Sequence, residues 1–215
     1  MIGAFFDMDR TLITCNSGME WIRFLRRRGE ISAWKTIKAL SWVARYKLSL
    51  LDLEAITREA ISDLTGDDEA EMIAKVGLFF DRQVRDAVAP RAHQAIDYHR
   101  QAGHLLAILS SSTPYVTERL AAHLGIEHVL CTRLHVQDGR FVGTHEKPAC
   151  AGPGKVHWAE RFACERGIDL DASWFYTDSY TDLPMLERVG VKRVINPDAR
   201  LRRHARHQGW AVEEW

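Results

Sequence analysis

Cysteine is scarce in this 215-residue chain: Cys15, Cys131, Cys150 and Cys164 are scattered, and no two of them form a C-x-x-C pair. That spacing excludes the usual zinc motifs, argues against a disulfide scaffold and predicts free thiols in a reducing compartment. The ten histidines contain no H-x-x-x-H or H-E-x-x-H pair and receive no role. No apolar run approaches the roughly 18–20 residues needed to cross a bilayer. A secretion signal is also missing, because Asp7, Asp9 and Arg10 interrupt the only apolar stretch near the start. A cytoplasmic location is the expectation. Net charge is absent too: 29 Lys and Arg balance 29 Asp and Glu. The whole molecule therefore shows no electrostatic bias toward nucleic acid or membrane, and no nucleic-acid partner is expected. Internal repeats and low-complexity tracts are lacking as well.

What is present is a chain 46% hydrophobic and 27% charged, enough for one full core and a smaller second unit. Charge is segregated locally. Residues 17–50 carry eight basic and two acidic side chains, whereas residues 51–90 carry four basic and ten acidic. Two solvated helical faces that partly neutralise each other account for this pattern.

Residues 1–6 form a short apolar run of strand type. Residues 17–87 contain no convincing strand and read as helices over 18–28, 32–47, 52–64 and 67–88. Asp52 is a candidate cap, and the acidic run DDEAE suits a helix N-terminus. After Pro90 the rhythm changes. Helices are expected over 91–101, 114–124, 154–166, 182–189 and 199–208. Strand-like runs fall at 105–109, 128–133, 174–177 and 192–195. LHVQDGRFVG reads as a hairpin turning at Asp138 and Gly139. Alternation at this spacing predicts an α/β fold, a doubly wound and mainly parallel sheet. The helical block is too long for one crossover. The expected division is a core of residues 1–13 and 88–215 with an inserted helical cap of residues 14–87.

In such sheets ligands bind beyond the carboxyl ends of the strands. Three predicted strands end there in polar groups: Asp7 and Asp9; Ser110, Ser111 and Ser112; Asp178 and Asp182. Lys155 stands at the start of a helix. Clustered carboxylates without histidine or cysteine suit a hard cation, Mg²⁺ above all, which would hold them ionised together. Hydroxyls and backbone N–H groups at a helix start suit phosphate oxygens, and a lysine adds positive charge. A carboxylate amid metal, donors and cation describes phosphoryl transfer through an acyl-phosphate. GPGK is not a P-loop, because Val156 follows the lysine where Ser or Thr is required.

DMDRTL, ILSSS, Lys155 and DSYTD, in this order, resemble the four motifs of the haloacid dehalogenase superfamily. The inserted helices resemble the superfamily's first type of cap, as in phosphoserine phosphatases and their relatives. VINPDARLRRHARHQGW is similar to the tail of that subfamily. The resemblance implies that Asp7 is the nucleophile and Asp9 the general acid/base, with its carbonyl on the metal. Thr11 would help fix the loop. Ser110 would bind phosphate, with Ser111 and Ser112 lining the same turn, and Lys155 would balance nucleophile and phosphate. Asp7, Asp9, Asp178 and Asp182 would form the Mg²⁺ site, Asp182 through water. The implied activity is hydrolysis of a small phosphomonoester of the phosphoserine or histidinol phosphate type.

Two positions depart from that pattern. Arg10 stands where a small residue is common, and is expected to point away from the metal or toward the cap. Asn16 stands where a glutamate reads the amine of phosphoserine, with Arg58 the candidate for its carboxylate. Arg10 bears on specificity more than on activity, while Asn16 and the loose match of Arg58 argue against strict phosphoserine specificity. WKTIKALSWVARYK, residues 34–47, is basic and aromatic; packing within the cap is favoured over contact with lipid. A lipid-phosphate phosphatase, transfer to an acceptor other than water, and a receiver-like phospho-accepting module are the alternatives. Oligomeric state is not set by the sequence.

Overall fold

GAFF, the β1 strand Gly3–Phe6, is buried at every residue, as expected of a central strand covered on both faces. The computed structural model describes residues 1–31 and 53–215. The helix expected over 32–47, the Asp52 cap and the basic aromatic segment lie outside the described residues.

β1 leads into α1 (Ser17–Arg27); α2 (Leu53–Ser62) and α3 (Glu69–Phe79) follow. The remainder is α4 (Pro90–Gln101), β2 (Leu105–Leu109), α5 (Pro114–Leu124), β3 (His128–Leu130), β4 (Leu134–Gln137), β5 (Arg140–His145), α6 (Pro153–Arg166), β6 (Trp174–Thr177), α7 (Leu183–Arg188), β7 (Val191–Ile195), α8 (Ala199–Gln208) and β8 (Val212–Glu213). Six strands form one sheet in the order β3-β2-β1-β6-β7-β8, with every neighbouring pair parallel. The chain winds outward from β1 through β2 to β3, then crosses back to β6 and winds the other way. The switch point therefore lies between β1 and β6, where ligands gather in sheets of this kind.

Side chains alternate between the two faces. Ala4, Phe6, Ile108 and Tyr176 join α1, α3, α4 and α5 in one core, with Phe24, Phe79, Ile96 and Leu120. Phe5, Ala107, Leu109 and Phe175 join α6, α7 and α8 in the other, with Phe162, Met185 and Leu201. The expected doubly wound α/β fold is the one observed. Among the described residues, α1 and α3 thus share a core with the sheet.

Some expected boundaries change. The long helix expected over 67–88 is capped by Asp68, whose side chain accepts from Glu71 N–H, and runs as α only to Phe79. A π turn, Phe80–Val84, and a 3₁₀ turn, Arg85–Ala87, complete it. The adjacent Phe79 and Phe80, at the junction of the α and π turns, are both buried. β8 went unread because two residues are too short for periodicity to show. The hairpin β4–β5 turns at Asp138 and Gly139, with φ of 50° and 75°, the paired positive values that suit an Asp-Gly turn.

Candidate active site at the β1–β6 switch point

Asp7 follows the last residue of β1, and its N–H donates to the Tyr176 carbonyl at 2.8 Å. The β1–β6 ladder thus continues one residue past the strand and presents the Asp7 carboxylate at the sheet's edge. Lys155 reaches it from the first turn of α6. Its Nζ donates to Asp7 Oδ1 at 2.7 Å and to Asp182 Oδ2 at 2.6 Å. The lysine is 2% exposed, so both pairs are buried. The glycines of GPGK are what allow this approach. Gly152 has φ 50°, and a Cβ on Gly154 would sit 1.9 Å from the Ala149 carbonyl oxygen.

Asp9 is held differently. Ser17 N–H donates to its Oδ1 at 2.9 Å, and Asn16 Nδ2 donates to its Oδ2 at 3.1 Å. Asn16 also caps α1, its Oδ1 accepting from Met19 N–H at 2.9 Å. The carboxylate of Asp9 therefore sits at a helix N-terminus, where the dipole favours negative charge. Asn16, which the sequence places where the amine of a substrate would be read, instead holds Asp9.

Asp178 follows β6. Its carbonyl accepts from Asp198 N–H at 2.8 Å, and Asp198 Oδ2 accepts from Tyr180 N–H at 2.8 Å. Asp182 accepts from Thr177 Oγ1 at 2.7 Å as well as from Lys155. Asp7, Asp9, Asp178, Asp182 and Lys155 all line one cavity of about 100 Å³, together with Arg10, Asn16, Ser111, Ser179 and Asp198. A larger groove of about 640 Å³ lies against Glu69, Tyr115 and Arg133. None of the clustered aspartates borders it, so volume is a poor guide here and chemistry a better one.

Burial is the main force on these acids. It pushes Asp178 up to about 8, reinforced by Asp7, Asp182 and Asp9 and opposed by Arg10. Burial also raises Asp7, with the Lys155 ammonium opposing it, and raises Asp9, with the Ser17 N–H opposing it. Carboxylates so destabilised as anions are what a divalent cation would neutralise. The oxygens fit that purpose. Both Asp9 oxygens are already bonded to protein donors, whereas Asp7 and Asp182 each commit one oxygen to Lys155, and Asp178 lines the same cavity. Magnesium characteristically takes one or two carboxylates and completes its shell with water and phosphate oxygens. Among the described residues, no three His, Cys, Asp or Glu side chains form a cage by themselves.

The serine turn and Thr11 behave less simply. Ser111 lines the cavity. Ser110 is buried, and its Oγ accepts from Ser112 N–H at 3.2 Å. Thr11 is fully buried, and its Oγ1 has no hydrogen-bond partner among the described residues. Arg10 is exposed and borders the carboxylate cavity. Arg58 is exposed on α2 and is not among the residues lining the cavity.

Several residues that build the site drew no notice in the sequence. Thr177 holds Asp182. Thr132 Oγ1 donates to the Ser111 carbonyl at 3.1 Å and accepts from Cys150 N–H at 3.1 Å, bracing the serine turn. Asp198 had a legible signal, since Asn-Pro-Asp before a helix marks an N-cap; its side chain does accept from Arg200 and Leu201 N–H.

Residues 4–187 match the family model of haloacid dehalogenase-like hydrolases. The chain belongs to this family. It is 31% identical over 217 residues to the phosphoserine phosphatase SerB1 of Mycobacterium tuberculosis, covering 99% of this chain and 70% of that protein. It is 27% identical over 214 residues to a histidinol-phosphatase of Neisseria meningitidis, covering 97% of this chain and 96% of the other. A crystal structure of a protein of unknown function from Bordetella pertussis superposes with a TM-score of 0.88 at 28% identity, covering 98% and 97% of the two chains. Membership of a hydrolase family makes this chain an enzyme and removes the receiver-like alternative. Among the described residues, no helix is long and apolar enough to cross a membrane.

Proposed function

We propose that this haloacid dehalogenase-like hydrolase is a Mg²⁺-dependent phosphatase acting on a small phosphomonoester through an aspartyl-phosphate on Asp7. The observation that carries this reading is the buried Lys155 ammonium shared between Asp7 and Asp182. It supports an ionised Asp7 in a buried site, with Oδ2 left to attack phosphorus. It also supplies positive charge for the incoming phosphate.

Asp7 attacks in line, and the ester oxygen leaves with the proton that Asp9 donates. Asp9 then takes a proton from water, which hydrolyses the acyl-phosphate and restores Asp7. Burial suits Asp9 to carrying that proton, while Ser17 N–H and Asn16 fix the direction of its carboxyl. Ser110, Ser111 and Ser112 hold the phosphoryl oxygens, and Thr11 steadies the loop between Asp9 and α1. Asp7 and Asp178, with the Asp9 carbonyl, would hold the Mg²⁺, and Asp182 would act on it through water. Bound there, the ion offsets the carboxylate charge and polarises the phosphoryl group. Residues 1–13 and 88–215 carry this chemistry. Residues 14–87 form the cap that closes over the rim and excludes bulk water.

Relatives named for phosphoserine and histidinol phosphate support a small phosphomonoester as the substrate class. The test is phosphate release from a panel of phosphomonoesters with and without Mg²⁺. Turnover that needs the ion and disappears in Asp7→Asn is the expected result; metal-independent turnover would sink the reading.

A further inference from the structure

We infer that Arg10 is a specificity-determining residue, positioned to bind a second anionic group on the substrate, a carboxylate or a further phosphate, beside the phosphoryl being transferred. This rests on the phosphatase reading above and deepens it.

The cavity at the aspartates holds about 100 Å³, only a few times the volume share of one water molecule at about 30 Å³. Such a space suits a phosphoryl group, and the rest of the ester must lie at its mouth. Arg10 and Ser111 are the two exposed residues among those lining that cavity, and only Arg10 carries a charge. The two cations there differ in what they have left to give. Lys155 is buried and already bonded to Asp7 and Asp182. The Arg10 guanidinium makes no hydrogen bond or ion pair within the described structure, so its planar fork of five donors is open to a bidentate anion.

Its backbone is pinned for the purpose. Arg10 adopts φ 55°, a left-handed conformation costly to a residue bearing a Cβ. One bond within the loop and one from far along the chain hold it there: Arg10 N–H donates to the Cys15 carbonyl at 3.1 Å, and Asn196 Nδ2 donates to the Arg10 carbonyl at 3.0 Å. Asn196 is itself anchored, its Oδ1 accepting from Trp215 N–H at 2.8 Å. A glycine would relieve the strain at position 10, yet the chain holds a charged side chain there at the mouth of the site. Asn16, with both ends of its amide engaged, leaves Arg10 as the open polar side chain on that side. An esterified phosphate with a nearby carboxylate fits this guanidinium.

The experiment compares phosphoserine with phosphoethanolamine, which lacks only the carboxylate, and propanediol bisphosphate with propanediol monophosphate, using wild type, Arg10→Gly and Arg10→Lys with Mg²⁺. Arg10→Gly keeps the left-handed backbone while removing the fork. It should lower kcat/KM for the substrate bearing the second anion by about 10- to 100-fold, mostly in KM, and leave its neutral counterpart within about threefold. Arg10→Lys should recover part of the loss. The two substrate pairs show whether carboxylate or phosphate is preferred. An equal loss on all four esters would assign Arg10 to the phosphoryl or to general charge balance, and no loss would leave it without a role; either overturns the inference while the phosphatase reading stands. Wild type that releases phosphate from none of the four esters overturns the inference, and histidinol phosphate run alongside them with Mg²⁺ shows whether the phosphatase reading falls with it.

Discussion

At the carboxyl ends of β1 and β6 the protein buries charges and pairs them; farther back along the same two strands it buries titratable rings and keeps them neutral. In the first cluster Lys155 joins Asp7 and Asp182. In the second, His99 is fully buried on α4, its Nδ1 2.8 Å from His104 Nδ1 and its Nε2 2.8 Å from the Tyr176 hydroxyl. Phe6 and Trp174 meet the His99 ring edge-on, and burial pushes that histidine down to about 4. The same desolvation therefore has two outcomes. Where a lysine meets carboxylates, buried charge is matched by opposite charge; where aromatic rings and the Arg193 cation surround the group, the proton is given up and hydrogen bonds suffice.

The contrast breaks most sharply at Asp7. Asp7→Asn should lower turnover by at least about 10⁴-fold while leaving the fold intact, because the amide fills the same space and removes a charge that burial opposes. Phosphate release and a thermal melt on the same preparation check both halves. Lys155→Met should abolish activity and also cost about 3–5 kcal/mol, since it leaves two buried carboxylates without their cation. Urea unfolding should show a larger loss at pH 8 than at pH 5, where protonation relieves the acids. His99→Leu should touch stability alone. It leaves the buried Tyr176 hydroxyl without its partner at a cost of about 1–3 kcal/mol, with kcat unchanged.

The smallest effects are the opposed pH slopes of the two clusters. His99 is depressed from 6.5 to about 4, so its contribution is present above pH 6.5 and is lost as pH falls toward 4. Asp178 is raised from 3.8 to about 8, so without metal its contribution is present below pH 3.8 and is lost as pH rises toward 8. His99→Leu should flatten the acid side of the stability profile. Mg²⁺ should raise Tm more at pH 8 than at pH 5, and an equal rise at both would count against Asp178 as a ligand.

How much of this was legible follows from the range of the forces involved. The apolar runs of β1, β2 and β6 and the helices starting at Pro114 and Ala199 are local patterns, and they appear where periodicity and capping put them. The π turn after Phe79 leaves no mark in the apolar periodicity, which reads through it as one helix. Asp7, Asp9, Asp178, Asp182 and Lys155 could be brought together on paper because polar residues at parallel strand ends must share one rim. Thr177, Thr132 and Asn196 could not, because their roles are single hydrogen bonds to partners set by three-dimensional approach.

By itself, then, the order of residues determined the alternation of strands and helices and, with it, which end of the sheet carries the acids and the lysine. Side-chain period and crossover handedness leave little freedom there. Only the tertiary structure decided how those groups are used: that Asn16 is bound to Asp9, that Lys155 is divided between two aspartates, and that Arg10 borders the same cavity. Each depends on distances between segments far apart in the chain, and hydrogen bonds and buried charges are decided within fractions of an ångström.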